Sequence, residues 1–250
     1  MLYHLFILLS IGLIFSLYYK GLFSLGRSSG TVTTLKPMLE FPPIQPHSCV
    51  KLSTLQGVTA TICVRPDDGF ISKAVLTRGA WGPQLVTNML RALTLYHDAA
   101  LVDVGCNIGM YTLMAAGMGR RVVAVDAVAE NLAYVHASLK KDGRTDLVTL
   151  LHNSVSNNKN LTLYPILHDE LNPGATKQVS ANKLIYSNMM ASGPPTHSIL
   201  LPTLFSSTPS STIVLKMDIE GWECRALLAR GVFNTGKFIP FIFMEWLHLF

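Results

Sequence analysis

An α/β fold, a mostly parallel sheet with helices on both faces, is predicted by three features of the 250-residue sequence. Short apolar runs alternate with helical patterns from residue 99 onward, a glycine-bearing turn follows the first run, and an acid closes the second. Residues 100–104 form a short buried strand, 110–117 a helix, 121–125 a second strand, 130–139 a helix and 147–151 a third strand. Together they make a βαβαβ half of a parallel sheet. Lys140 and Lys141 precede Gly143, where cations complement the end of a helix and glycine stops it. Upstream, 48–98 is a cap region with a strand over 60–64 and a helix over 83–96.

The turn after the first strand reads Asp103-Val104-Gly105-Cys106-Asn107-Ile108-Gly109. Gly105 and Gly109 let the backbone turn sharply and let a ligand approach the peptide plane. Asp126 closes the second strand 21 residues after Gly105, the place where such folds present a carboxylate to ribose hydroxyls. Dinucleotide enzymes use a similar crevice, but with a G-x-G-x-x-G turn that opens a helix N-terminus to pyrophosphate. Here the spacing is G-x-N-x-G, with Asp103 just before it. A carboxylate there repels pyrophosphate and attracts the cationic end of S-adenosylmethionine. That donor is therefore the predicted cofactor, held by Asp103, Gly105, Asn107, Gly109 and Asp126. Asn153 and Ser154 follow the third strand at the level of an adenine ring; a plain polar loop accounts for them equally well.

The first residues have a different character. From Leu5 to Leu17 nearly every side chain is apolar, and Leu2-Tyr3 and Tyr18-Tyr19 extend the run to about the length that spans a bilayer. About ten Leu, Ile and Phe contribute about −3 to −6 kcal/mol toward insertion. Residues 1–19 are expected as a transmembrane signal anchor; Ser24-Leu25-Gly26 resembles a cleavage site and leaves a removed signal peptide as the alternative. Pro37, Pro42, Pro43 and Pro46 mark 20–47 as a stem. Lys20, Arg27 and Lys36 favour a cytoplasmic C-terminal side, whereas two features favour a lumenal one in the secretory pathway. Cys49 and Cys63 could close a loop worth roughly 3 kcal/mol as a disulfide, with two buried thiols as the alternative. Asn160-Leu161-Thr162 is a glycosylation triplet, with a chance occurrence as the alternative. The net charge of +5 is spread thinly, with no basic run longer than a pair, so nucleic acid is not an expected partner.

After a polar stretch (156–211), with a hairpin expected between 161–166 and 199–204, an apolar run leads into Lys216-Met217-Asp218-Ile219-Glu220-Gly221-Trp222-Glu223 and a helix over 222–230. Acids at the carboxyl end of such a strand stand where open α/β sheets bind ligands. Lys216 lies two residues before Asp218 on one strand face, so its charge would keep Asp218 ionised. Alternatively, Lys216, Glu220 and Glu223 form a structural salt-bridge and cap network. No His-rich spacing suggests a metal site.

The K-x-D-x-E-G-x-E pattern at 216–223 resembles the hallmark of FkbM-type methyltransferases. The loop at Asp103 to Gly109, the strand ending in Asp126, and Phe243-Met244-Glu245-Trp246 look like the same family over about residues 48–250. The resemblance implies a Rossmann-like class I methyltransferase fold, here a domain over 99–250, and S-adenosylmethionine-dependent O-methylation of a glycan or small-molecule hydroxyl. Asp218 is then the leading catalytic candidate, with Glu220, Lys216 and Glu245 beside it. Class I domains add a sixth and seventh strand beyond the one expected at 239–245, so the last strands are expected to be missing. Gly82-Pro83 after Trp81 replaces an acid expected in relatives. The alternatives are a non-catalytic, membrane-tethered, truncated relative and a nicotinamide oxidoreductase.

Overall fold

The computed structural model describes residues 35, 37–44, 48–54, 56–167, 169–185 and 189–244. Its centre is a five-stranded parallel sheet made of β3 (Ala100–Val104), β4 (Val122–Asp126), β5 (Val148–His152), β10 (Thr212–Met217) and β11 (Phe238–Met244). The order is β11-β10-β3-β4-β5, so the chain reverses direction across the sheet between β3 and β10. Carboxyl ends on either side of such a reversal open a crevice. The glycine turn and the acidic turn predicted from sequence leave these two strands.

Apart from Asp103, Lys216 and the strand ends, the inner strands are apolar without alternation because both faces are covered. Leu101, Ala124 and Val214 face a layer built from α2 (Pro83–Leu95), α3 (Met110–Gly117) and α4 (Ala129–Asp142). Val102, Val104, Val125 and Leu215 face Leu201, Leu204 and Phe205 of α6 (Leu201–Ser207) and Ala226 of α7 (Glu223–Leu227). As expected, α4 ends on Gly143 in the left-handed conformation, with Lys140 and Lys141 in its last turn.

Before the sheet, β1 (Ser48–Ser53) and β2 (Thr59–Val64) form an antiparallel hairpin, followed by α1 (Ile71–Arg78). Cys49 and Cys63 face each other in the register and are joined as a disulfide. The hairpin is fastened to α4 by polar bonds. Asp142 accepts from the Thr61 amide (2.7 Å) and hydroxyl (2.6 Å), and the Ser138 hydroxyl accepts from the Cys63 amide (2.9 Å). The segment 37–44, expected as stem, also lies on the domain. Its Met38, Phe41 and Ile44 pack against the core, the Met38 amide donates to the Leu150 carbonyl (2.8 Å), and the Phe41 ring stacks on His136. Apolar residues placed between the prolines give this stretch something to bury.

Between β5 and β10 the chain builds a small mixed sheet from β6 (Ser154–Val155), β9 (Thr196–Ile199), β7 (Thr162–Ile166) and β8 (Lys177–Ser180), with α5 (Ala181–Ile185) after β8. The expected strand 161–166 is present as β7 and pairs antiparallel with β9. Its expected partner 199–204 is mostly helix α6, because Pro202 sits in a helical first turn and Leu201, Leu204 and Phe205 share one buried face. The helix expected over 222–230 is shorter, and β11 corresponds to the strand expected at 239–245. Among the described residues no helix is long and apolar enough to cross a membrane; the expected anchor, 1–19, lies outside them.

Asp142→Ala would strand two part-buried donors on Thr61 and remove the Arg144 ion pair (3.3 Å). The loss should be about 1–3 kcal/mol, read as a lower urea midpoint with an unchanged slope.

Candidate functional site

A cleft at the carboxyl ends of β3, β4 and β10 brings together most of the residues singled out from sequence: Gly105, Asn107, Asp126, Asn153, Ser154, Lys216, Asp218 and Glu220 all line it. Gly109 starts α3 behind the loop. The turn between β3 and α3 holds Gly105, Asn107 and Gly109 at φ 76°, 51° and 92°, a conformation that ordinary side chains resist. The glycines meet protein rather than leaving room for a ligand. A Cβ on Gly105 would lie 1.8 Å from the Asp218 carbonyl oxygen, and one on Gly109 would lie 2.9 Å from a Val135 methyl. The first glycine thus lets the two loops touch, and the second lets α4 pack on α3.

Asp126 is bonded directly to this turn. Its Oδ2 accepts from the Asn107 amide (2.8 Å), and its Oδ1 accepts from the Val128 amide (2.8 Å) and the Asn131 carboxamide (3.2 Å). A carboxylate offers about four acceptor positions, so one on Oδ2 stays open to a ligand hydroxyl. Burial pushes this carboxyl above its ordinary range, with the three donors offsetting part of the effect. Asn107 shapes the turn through its side chain as well, accepting from the Ile108 amide (2.7 Å). Between them, Cys106 is buried and its thiol is pushed up by burial and by the nearby acids, so it is no nucleophile.

Asp103 does not face the cleft. It is wholly buried, accepts from the Thr112 hydroxyl (2.6 Å), and holds the Lys216 ammonium at 3.4 Å. The two residues stand opposite each other in the β3–β10 register, which places them side by side in the sheet. Lys216 also donates to the Gly105 carbonyl and lies 3.9 Å from Asp218. Burial alone lowers the Lys216 pKa, but the charges of Asp103 and Asp218 outweigh it and the net direction is upward. The charge offered to a ligand therefore comes from Asp218, one-third exposed, and not from Asp103.

The acidic turn divides its labour. Glu223 is buried and accepts from the Ile219 (2.7 Å) and Gly221 (3.0 Å) amides, bracing the backbone on both sides of Glu220. Its role is structural. Glu220 itself sits at φ 54°, unusual for a residue with a side chain, and reaches the cleft. Burial, then repulsion from Asp218 and Glu223, pushes its carboxyl up to about 7. Glu245 lies outside the described residues.

The small sheet covers one side of the cleft. The Ser154 hydroxyl bonds to Gln178 (3.1 Å) and Thr196, and Asn153 donates to the His197 carbonyl (2.9 Å), so both expected base contacts already hold protein partners. Trp222 donates to the Gln178 carbonyl (3.0 Å). Sequence reasoning missed Arg65, which is buried and reaches Asp67 (2.9 Å), Glu130 (3.2 Å) and Asn131 (3.2 Å), and through Asn131 supports Asp126. It also missed Tyr111 and Gln178 in the lining. The exposed Trp81, noted only for the residues after it, lines the cleft too.

No family model matches the sequence, and no curated protein matches it either. Among solved structures, the chain is similar to the methyltransferase FkbM from Methylobacillus flagellatus. Identity is 19% and the TM-score 0.34, over 53% of this chain and 29% of that one. A likeness of that size identifies neither a family nor an activity.

Lys216→Met would leave Asp103 charged and buried without a counter-ion, costing about 3–5 kcal/mol. Adding Asp103→Asn should recover a large part of that in urea unfolding, a clear departure from additivity. Glu220 gives a pH-dependent test. Unfolded, it ionises near 4.5, and folded near 7, so between these values the native state binds more protons and stability falls as pH rises. Glu220→Gln should thus be nearly neutral at pH 4. It should raise the thermal midpoint at pH 8 by roughly 3–6 °C, a figure discounted for the residue's partial exposure.

Proposed function

We propose that the protein is an S-adenosylmethionine-dependent methyltransferase that transfers to the oxygen of a neutral hydroxylated acceptor, a glycan or small molecule. The carrying observation is the bond from the Asn107 amide to Asp126, which fixes a buried carboxylate with one open acceptor position in a cleft that also contains Asp218 and Glu220. The donor set suits an adenosyl sulfonium. Asp126 takes a ribose hydroxyl, Asn153 and Ser154 flank the base, and Asp218 attracts the cationic end. Against the three lining carboxylates stands Lys216, already shared between Asp103 and the Gly105 carbonyl. That balance disfavours a diphosphate cofactor or a phosphorylated acceptor.

Bound S-adenosylmethionine supplies an electrophilic methyl group. The chain's part is to hold the acceptor in line and to take its proton as oxygen becomes bonded to carbon. Glu220 suits that proton better than Asp218. Its carboxyl sits near neutrality, where a proton is readily taken and released, while Asp218 already faces the Lys216 ammonium at 3.9 Å. Trp81, Tyr111 and Trp222 offer flat apolar surface on which a sugar or aromatic acceptor can rest.

Calorimetric titration with S-adenosylmethionine should show one site. Asp126→Asn, which keeps the side chain's size and removes its charge, should weaken binding by about 10- to 150-fold, the worth of one charge-assisted bond. Unaltered affinity in that variant, or no binding by the parent chain, overturns the proposed donor site.

A further inference from the structure

Asn160-Leu161-Thr162 is the single Asn-x-Ser/Thr triplet in the 250 residues. It falls on the turn that leads into β7, where Asn160 takes φ 63°, a conformation that asparagine tolerates better than most residues. The Asn160 backbone amide donates to the Ser198 carbonyl (2.8 Å), which fixes the turn. Its carboxamide makes none of the hydrogen bonds found among the described residues and is exposed, as is the neighbouring Leu161. No residue of the triplet lines the cleft. A large group on the Asn160 nitrogen would project into solvent without opening a buried bond or blocking the site.

A second, unrelated feature points to the compartment where such a group is added. Cys49 and Cys63 are joined across the β1–β2 hairpin, and Cys63 is fully buried in the core. Disulfides of this structural kind persist in the secretory pathway and are rare in reducing compartments. The hairpin and the β7 turn belong to different sheets, so neither feature requires the other.

We propose that Asn160 is an N-glycosylation site and that the domain faces the lumen of the secretory pathway. The donor is a lipid diphosphate-linked oligosaccharide. The Asn160 Nδ2 forms a bond to the anomeric carbon as the bond from that carbon to the diphosphate oxygen breaks. The amide gives up one proton to a carboxylate of the transferring enzyme, and the lipid diphosphate leaves. This inference stands whether or not the cleft binds a methyl donor.

The full chain translated with endoplasmic-reticulum microsomes tests it. One glycan per chain is expected: a single upward mobility step that peptide N-glycosidase removes, on a chain the intact microsomes shield from added protease. Asn160→Gln and Thr162→Ala should each abolish the step, and Thr162→Ser should keep it, which separates loss of the acceptor triplet from loss of the fold. A protected chain without the step overturns the site, and a chain digested in intact microsomes overturns the lumenal orientation. A step that persists in both Asn160→Gln and Thr162→Ala also overturns the site.

Discussion

A buried ion pair between Lys216 and Asp103 ties two neighbouring strands of the central sheet to the loops that line the cleft. Both groups are buried, and each would be costly alone in the sheet interior. Lying opposite each other in adjacent strands, they neutralise one another and satisfy further partners, Thr112 on α3 and the Gly105 carbonyl at the start of the turn. One ammonium thereby joins β3, β10 and the turn between β3 and α3. Such pairs contribute less to net stability than to uniqueness: slipping β10 by one residue against β3 would move Lys216 to the opposite face and leave Asp103 without its partner.

Two consequences follow for the cleft. The glycine turn and the acidic turn are held so close that the Asp218 carbonyl occupies the space of a Gly105 side chain, so they behave as one wall. The four acids near the reversal point then take different roles according to their neighbours. Asp103 pairs with the lysine, Glu223 braces the backbone, Asp218 lies beside the ammonium with its side chain one-third exposed, and Glu220 is left in a part-buried, acid-rich position that pushes its carboxyl up. Chemically similar side chains acquire distinct surroundings through burial and partner choice.

Much of this was legible from the sequence. Strand 100–104, the turn to Gly109, Asp126 as strand end, and the stop of α4 at Gly143 all rest on local rules of periodicity, glycine conformation and helix ends, and they appear where expected. Asp103 was misjudged because its role depends on strand order. Nothing local says that β10, over a hundred residues later, lies beside β3 and sets Lys216 against it. Arg65 escaped notice for a similar reason, since it meets Asn131 only after the hairpin has docked on α4. The misplaced partner of β7 had a visible cue in Pro202, which marks a helix start; the apolar run 199–204 obscured it.

In the proposed donor site, the turn after β3, the end of β4 and the acidic turn after β10 act as a single receptor for an adenosyl sulfonium. Amide hydrogen exchange with and without saturating S-adenosylmethionine reads all three segments at once. Slower exchange is expected together in 104–109, 126–128 and 217–221, with the outer helices unchanged. Exchange that stays the same in all three segments, or slows only elsewhere in the domain, would rule out a shared receptor there.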